Sequence, residues 1–180
     1  FIALILGIIS LPLYILVAPF LLFSGERTIL SRQNRVGEGG EIFTIYKFRT
    51  MLYGNKTREE GNKVTKTGKF LRKTRIDELP QILNVLKGDM SLIGPRPEFP
   101  GLVDLYQEKI PYFNTRHLIK PGISGWAQLL HDDPPKHEAE VDKAKMKLAY
   151  DLYYVKNRSF MLDLKIALWT LRVLASRTGR

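Results

Sequence analysis

The chain of 180 residues contains no cysteine. That absence excludes disulfides, zinc–thiolate centres and a cysteine nucleophile, and it fits a reducing compartment. Histidine is scarce: His117, His131 and His137 are the only three, and they lack the spacing of a metal site. Neither G-x-x-x-x-G-K-[ST] nor G-x-G-x-x-G occurs, which argues against P-loop and Rossmann chemistry. Ser124 sits in GISGWAQ, which is not the G-x-S-x-G of a nucleophile elbow. No internal repeat and no low-complexity tract is present. Asp, Glu, Lys and Arg are all missing from Phe1 to Gly25, and Glu26 is the first charged residue.

Beyond that neutral start the chain is basic. The formal net charge is +10, and Lys and Arg crowd the stretch Arg27 to Arg75. Such a charge calls for an anionic partner: nucleic acid, lipid head groups and phosphorylated substrates all qualify. An apolar start running into a basic body is the pattern of a protein held at the cytoplasmic leaflet. The length predicts one main domain with a core of its own. Phe1 in place of Met leads to the expectation of a chain missing its own N-terminus. The lack of a basic n-region and of a small-residue cleavage site argues against a signal peptide.

Phe1 to Phe23 is long enough to cross a hydrocarbon core of about 30 Å as one helix. Pro12 and Pro19 oppose a straight span, because an interior proline removes a hydrogen bond and bends the helix. A helix broken at Pro12 could enter the bilayer and return to the same side, with Ser10 bonding back to the backbone at the bend. The residues alone leave span and re-entrant hairpin open. A soluble core helix is the poorest fit, since no polar stripe is present.

Further along, Glu41 to Met51 alternates as a strand. Lys47 and Arg49 then share a face with Phe43, Ile45 and Met51. Gly37-Glu38-Gly39-Gly40 reads as the turn of a hairpin with Ile29 to Arg35. Leu52 to Thr67 reads as a loop, and Gly68 to Thr74 as a short basic helix or turn. Asp77 to Leu86 reads as a helix with Pro80 in its first turn and Gly88 as its stop. Phe99 to Asn114 is helical up to Pro111. Ile119 to Gln128 and His131 to Pro135 are loops. Lys136 to Val155 and Ser159 to Ser176 are helices. Projected at about 100° per residue, the last helix shows two apolar stripes. Phe160, Leu164, Ala167, Leu168, Leu171 and Ala175 form one; Ile166, Trp169 and Val173 form the other. Such a helix touches two surroundings, the core and either more core or lipid.

The chemistry concentrates between Thr74 and Pro97, TRIDELPQILNVLKGDMSLIGPRP. Asp77 and Glu78 are adjacent acids at a predicted helix start. A lone Asp there is most often a cap. A second acid exceeds what capping requires, and Arg72, Lys73 and Arg75 stand just upstream. The helix start favours negative charge by about 0.3–1 kcal/mol and can receive a phosphate. An oriented carboxylate can attack phosphorus, while the second acid binds Mg²⁺ or manages a proton. Lys47, Arg49 and Arg96 could neutralise the phosphoryl oxygens, Arg through its planar fork. The plainer alternatives are a solvated strand face for Lys47 and Arg49, and a surface turn for Arg96 between its two prolines.

YKFRTM (46–51), DELPQ (77–81), NVLKGDMSLIGPRP (84–97), KPGISGWAQ (120–128), DLYYVKN (151–157) and SFMLDLKIALWTL (159–171) together resemble the bacterial sugar transferases. These are the monotopic phosphoglycosyl transferases that begin glycoconjugate and exopolysaccharide assembly. The resemblance is collinear over nearly the whole chain. It implies transfer of a sugar 1-phosphate from a UDP-sugar to undecaprenyl (polyprenyl) phosphate, with UMP released and Mg²⁺ required. It implies Asp77 as nucleophile in a covalent two-step mechanism, and Glu78 beside it in metal or proton handling. Asp77 and Glu78 are thus the expected metal ligands. Lys47, Arg49, Arg75 and Arg96 are the expected phosphate-binding residues. The expected fold is α+β, mostly helical and membrane-embedded. A re-entrant helix-break-helix turned at Pro12 would occupy residues 1–25, and a catalytic domain with a small β-hairpin and amphipathic interfacial helices residues 26–180. The expected location is the cytoplasmic face of the bacterial inner membrane, with the lipid bilayer and not nucleic acid as partner.

Two departures stand out. Leu11-Pro12 replaces the family's usual Ser-Pro pair, and LLHDDPP (129–135) replaces an Asn-Gly-Arg-Asn-like stretch. The second suggests a different sugar or the catalytic domain of a larger member. Two rival readings remain: a non-catalytic basic module for the membrane surface, and a structural subunit of a polysaccharide assembly complex.

Overall fold

A computed structural model of the chain describes residues 2–23, 28–51, 64–130 and 141–176. Among these, α1 is Ile2–Phe23, β1 Leu30–Val36 and β2 Ile42–Phe48. α2 is Lys66–Lys73, α3 Ile82–Lys87 and β3 Ser91–Ile93. α4 is Pro100–Lys109, β4 Gly122–Ser124 and α5 Trp126–Leu130. α6 is Val141–Asn157 and α7 Phe160–Ala175. Short 3₁₀ turns fill Glu38–Gly40, Ile76–Gln81 and Phe113–Leu118. The architecture is α+β and mostly helical. Most of the loop expected at Leu52 to Thr67, the loop at His131 to Pro135, and His137 lie outside the described residues.

Two compact units divide the chain. One comprises Phe1–Gln33, Ile45–Leu86 and Val173–Arg180; the other comprises Asn34–Thr44 and Lys87–Arg172.

The first unit forms around Val17 and Leu21 of α1, Phe48 of β2 and Leu71 of α2, all buried. Tyr14 and Phe48 pack with ring centroids 5.1 Å apart and their planes tilted by 59°. Toward the other end of α1, a Cβ on Gly7 would lie 3.6 Å from Ile82 Cγ2 and 3.8 Å from Leu86 Cδ1. Residues 7, 10, 14, 17 and 21 thus form the inner stripe of α1 at helical spacing. The outward residues Leu4, Ile5, Ile8, Leu11, Ile15, Leu16, Phe20 and Leu22 are 43% to 73% exposed. The expected break at Pro12 is not observed: the helix continues through Pro12 and Pro19. One proline deletes a single bond of the ladder, which bends a helix more readily than it ends one. Ser10 Oγ does turn back, donating to Gly7 O at 2.8 Å. Among the described residues no helix is long and apolar enough to cross a membrane.

α2 starts at Thr65, whose Oγ1 accepts from Gly68 N at 2.9 Å. Gly68 is required there, because a Cβ would strike the Thr50 carbonyl. β1 and β2 pair around the glycine turn, where Gly39 and Gly40 take positive φ. The strict alternation expected of β2 gives way. Ile45 and Phe48, on opposite faces, are both buried, while Ile42 is 63% exposed. Both faces of the strand are therefore covered at its second half.

The second unit packs Val36, Val103, Tyr106, Ile110, Phe113, Ala144 and Leu148 into one cluster, so α4, α6 and the 113–118 turn meet there. The stretch expected as a loop at Ile119 to Gln128 holds both β4 and the start of α5. β4 pairs in parallel with β3, Ser91 opposite Gly122 and Ile93 opposite Ser124. A Cβ on Gly122 would collide with Gly94 N, and one on Gly125 with Gly94 O. These glycines permit the backbones to approach rather than mark a flexible loop. α7 is capped by Ser159, whose Oγ accepts from Leu162 N at 3.3 Å. Its two stripes meet different surroundings. Ile166 is fully buried and Trp169 packs edge-on to Trp126 at 5.9 Å, whereas Phe160, Leu164, Leu168 and Leu171 are 41% to 79% exposed.

His117 stands edge-on to Phe113 at 6.1 Å. Burial first, and the neighbouring Arg116 second, push it from the ordinary 6.5 down to about 4. Between those values the unfolded chain binds the proton that the folded chain refuses, so stability contributed by neutral His117 is lost as pH falls from about 6.5 toward 4. Asp151, raised by burial to about 6, acts in the opposite sense over about 4 to 6. Comparison with His117→Gln isolates the histidine. The wild-type melting temperature should drop relative to the variant as pH is lowered through that window, and parallel curves would refute the assignment.

Candidate functional site

The site is assembled on β2 and the segment from Arg75 to Lys87. Arg75 takes φ 57° and ψ 11°, a left-handed conformation uncommon for a non-glycine residue. It turns the chain from α2 into the 3₁₀ turn Ile76–Gln81. The sequence predicted an α-helix beginning at Asp77. Instead the first turn is 3₁₀, with Pro80 inside it, and α-helical geometry starts at Ile82. The residue in the capping position is Arg75, so Asp77 is not the cap of this turn. Asp77 is buried, at 9% exposure.

Lys47 Nζ lies 3.0 Å from Glu78 Oε1, and Arg75 Nη1 lies 3.9 Å from Glu78 Oε2. The Lys47 and Glu78 side chains are 16% and 11% exposed, so this charge-assisted pair is largely shielded from water. A second tie runs beside it: Tyr46 N donates to Oδ1 of the fully buried Asn84 at 3.2 Å. Thr50, just past β2, receives Arg72 Nε at 2.9 Å. β2 is thus joined to both α2 and the dyad segment by side-chain bonds.

Of the residues expected at the site, the first unit brings Lys47, Arg75 and Glu78 together, with Asp77 adjacent in the turn. Arg49 lies beyond the end of β2, and its Nε donates to Thr28 Oγ1 at 2.8 Å. Arg96 belongs to the second unit. There Gly94, Pro95, Pro97 and Glu98 are buried, and Arg96 between them is partly exposed. Asn84, Arg35 and Arg116 were not anticipated. They are polar residues inside segments whose patterning carries no signal for a buried anchor.

Asp77 and Glu78 supply carboxylate oxygens of the hard type that Mg²⁺ takes together with substrate phosphates. No group of three candidate metal-binding side chains occurs among the described residues.

Comparison with known proteins decides the family. The family described as bacterial sugar transferase matches residues 1–177. The chain belongs to that family. It is 44% identical over 174 residues to the UDP-N-acetylgalactosamine-undecaprenyl-phosphate N-acetylgalactosaminephosphotransferase of Aeromonas hydrophila, covering 93% of this chain and 40% of that protein. It is 45% identical over 157 residues to an uncharacterized sugar transferase of Bacillus subtilis, covering 84% of this chain and 72% of the relative. To the UDP-glucose:undecaprenyl-phosphate glucose-1-phosphate transferase of Xanthomonas campestris it is 36% identical, covering 97% of this chain and 38% of that one. The chain therefore spans about two fifths of the length of the first and third of these sugar transferases.

The shielded ion pair can be tested without an activity assay. Glu78→Gln and Lys47→Met should each lower unfolding free energy by about 1–3 kcal/mol, because each removes one charge from a pair largely shielded from water. The double variant should lose less than the sum, read from urea unfolding. Strict additivity would show that the pair does not form.

Proposed function

We propose that this chain is the catalytic domain of a phosphoglycosyl transferase, moving a sugar 1-phosphate from a UDP-sugar to undecaprenyl phosphate and so initiating exopolysaccharide or glycoconjugate synthesis. The observation that carries the reading is the buried Asp77 beside a largely shielded Glu78, with Lys47 and Arg75 on Glu78, in a chain of the sugar transferase family. The names of the relatives from Aeromonas hydrophila and Xanthomonas campestris support the substrate classes.

In the first step a carboxylate oxygen of Asp77 attacks the β-phosphorus of the UDP-sugar. The bond from that phosphorus to the bridging oxygen breaks, and UMP leaves with the electron pair. In the second step a phosphate oxygen of the polyprenyl phosphate attacks the same phosphorus. The Asp77 carboxylate is expelled, leaving polyprenyl diphosphate sugar. Phosphoryl transfer of this kind asks the protein for positioning and charge neutralisation. Lys47 and Arg75 orient Glu78 next to the nucleophile, and Arg49 and Arg96 supply further positive charge for the phosphate oxygens. Asp77 and Glu78 would hold Mg²⁺ together with substrate phosphate oxygens, and the ion would supply charge neutralisation at the leaving phosphate.

The same reading places α1 in the bilayer at the cytoplasmic face of the bacterial inner membrane. Support comes from its two sides. The inner stripe touches the body near both ends, at Gly7 and at Leu21, a separation of about 21 Å along the axis. A spanning helix would leave its body at one end. The outer side presents eight large apolar residues. We therefore read α1 (within residues 1–25) as a helix that enters the membrane without crossing it, with residues 26–180 forming the catalytic part.

The chain's lack of cysteine makes introduced thiols unique. Thiols placed ahead of Phe1 and after Gly25 should both react with a membrane-impermeant reagent from the cytoplasmic side; reaction from opposite sides would refute the re-entrant placement. For the chemistry, UMP release should be assayed with UDP-N-acetylgalactosamine, UDP-glucose and other UDP-sugars, with undecaprenyl phosphate and Mg²⁺ in nanodiscs. One donor should support release, and Asp77→Asn should abolish it. Wild-type turnover in Asp77→Asn would refute the nucleophile.

A further inference from the structure

The turn Gly94-Pro95-Arg96-Pro97 carries two prolines, which have no N–H to donate, so the segment can be fixed only through the groups that remain. In the second unit the four consecutive carbonyls of residues 95–98 each accept a bond, two from the end of β1 and two from residues 116 and 122. Pro95 O accepts from Gly122 N at 2.9 Å and Glu98 O from Val36 N at 3.0 Å. Between them, Arg96 O accepts from Arg116 Nη2 at 2.7 Å and Pro97 O from Arg35 Nη1 at 3.4 Å.

The two inner donors are unusual. Arg35 and Arg116 are 5% and 6% exposed. Burying a guanidinium is costly unless it is paired and hydrogen-bonded. Both are held in place by further contacts. Arg116 Nη2 is 2.7 Å from Asp151 Oδ2, and Nη1 is 3.9 Å from Glu98 Oε1. The Arg35 guanidinium lies 3.3 Å from the centroid of the Phe99 ring. Arg116 joins a carboxylate and a carbonyl at once, and its planar guanidinium fixes the directions of those donors in a way a flexible ammonium does not. The result is a backbone anchored on both sides of Arg96 while Arg96 itself stays partly exposed.

We propose that Arg35 and Arg116 are positioning residues for the transfer reaction: by holding the carbonyls of Pro97 and Arg96 they fix the turn from which the Arg96 guanidinium meets substrate phosphate. This rests on the reading of Arg96 as a phosphate-binding residue. Neither arginine is assigned contact with substrate. A misplacement of about 1 Å in a positioning group can cost up to about a hundredfold in rate, which gives two remote arginines the leverage to matter.

The test is a double-mutant cycle in the chain used for the UMP-release assay, with UDP-N-acetylgalactosamine or UDP-glucose as donor, whichever supports turnover. Arg116→Lys and Arg35→Lys keep the buried charge but lose the fork. Each is measured alone and combined with Arg96→Ala, with melting temperatures alongside. Each Lys variant should lower turnover about tenfold in the parent chain and cause no further loss where Arg96 is already Ala. If Arg116→Lys fails to fold, the Arg35→Lys cycle decides. Equal fold-losses in both backgrounds would mean a general structural role and overturn the proposal, as would wild-type turnover in a folded Lys variant. Wild-type turnover in Arg96→Ala would overturn it by removing the group to be positioned. That outcome is separable from failure of the transferase reading itself, which the Asp77→Asn measurement decides.

Discussion

The ion pair between Lys47 and Glu78 joins two segments separated by 31 residues, and the arrangement of the first unit depends on it. β2 supplies the lysine, and the turn after α2 supplies the acid. Asn84 gives a second tie from the same strand at Tyr46, so two adjacent residues of β2 hold the dyad segment. Desolvating such a pair offsets much of its attraction, so its presence is weak evidence of a stabilising role. Its effect is geometric: it fixes where the Glu78 carboxylate stands relative to the strand. The left-handed Arg75 works in the same direction. A strained backbone residue persists only where its surroundings over-determine it, and here Arg75 reaches back toward Glu78 from the turn it creates.

A different constraint governs the apolar surface. α1 and α7 each bury one stripe and expose another that is just as apolar. In α1 the sequence is apolar on all sides, so hydropathy could not distinguish the side facing Phe48 and Leu71 from the side facing outward. Small or polar residues distinguish them: Gly7 and Ser10 face inward, where close approach and a local hydrogen bond are needed. In α7 the inner stripe is marked by polar groups that find partners. Thr170 meets Ser124 at 2.6 Å, and Asp163 accepts from Tyr154 at 2.6 Å. Lys165 sits 5.2 Å from the Trp126 ring centroid, a cationic and aromatic grouping beside the exposed apolar face. On α1, the exposed apolar side is the surface that the proposed membrane contact would cover.

Much of this was legible in the sequence. The hairpin, the basic helix α2, the stop at Gly88 and α4 up to Pro111 were all marked by local chemistry, and the last helix had two cap candidates, Asn157 and Ser159, of which Ser159 takes the role. The adjacency of acids and arginines around Asp77 was legible too. Three features were not. The β3–β4 pair was hidden because its strands are three residues long, and its glycines read as loop signals while actually permitting close approach. The 3₁₀ start of the dyad segment was hidden because Pro80 suits the first turn of either helix type. The unbroken helix through Pro12 was hidden because the sequence shows which bond is lost and not whether the remaining ones suffice. Buried anchors such as Asn84, Arg35 and Arg116 carry no local signature, since their partners are distant in sequence.

The distribution of buried polar groups then says something about what the fold is organised to do. A chain selected for stability alone would fill these positions with apolar residues, since replacing buried charges by well-packed hydrophobic groups is often neutral or stabilising. Here Asn84, Arg35, Arg116, Glu98 and Asp151 are all buried. Each lies in or bonds to a segment that carries Asp77, Glu78 or Arg96, or braces a residue that does. Neutralising a phosphoryl group needs cations that are already in place, because a freely rotating arginine carries about 2 kcal/mol of side-chain entropy to be lost on ordering. Stiffening the backbone beneath the cation removes the backbone part of the ordering cost and leaves only the side chain's own to be met. Under the proposed function, Arg96 between prolines on an anchored turn would be such a cation, and the buried polar groups around it are what that anchoring demands.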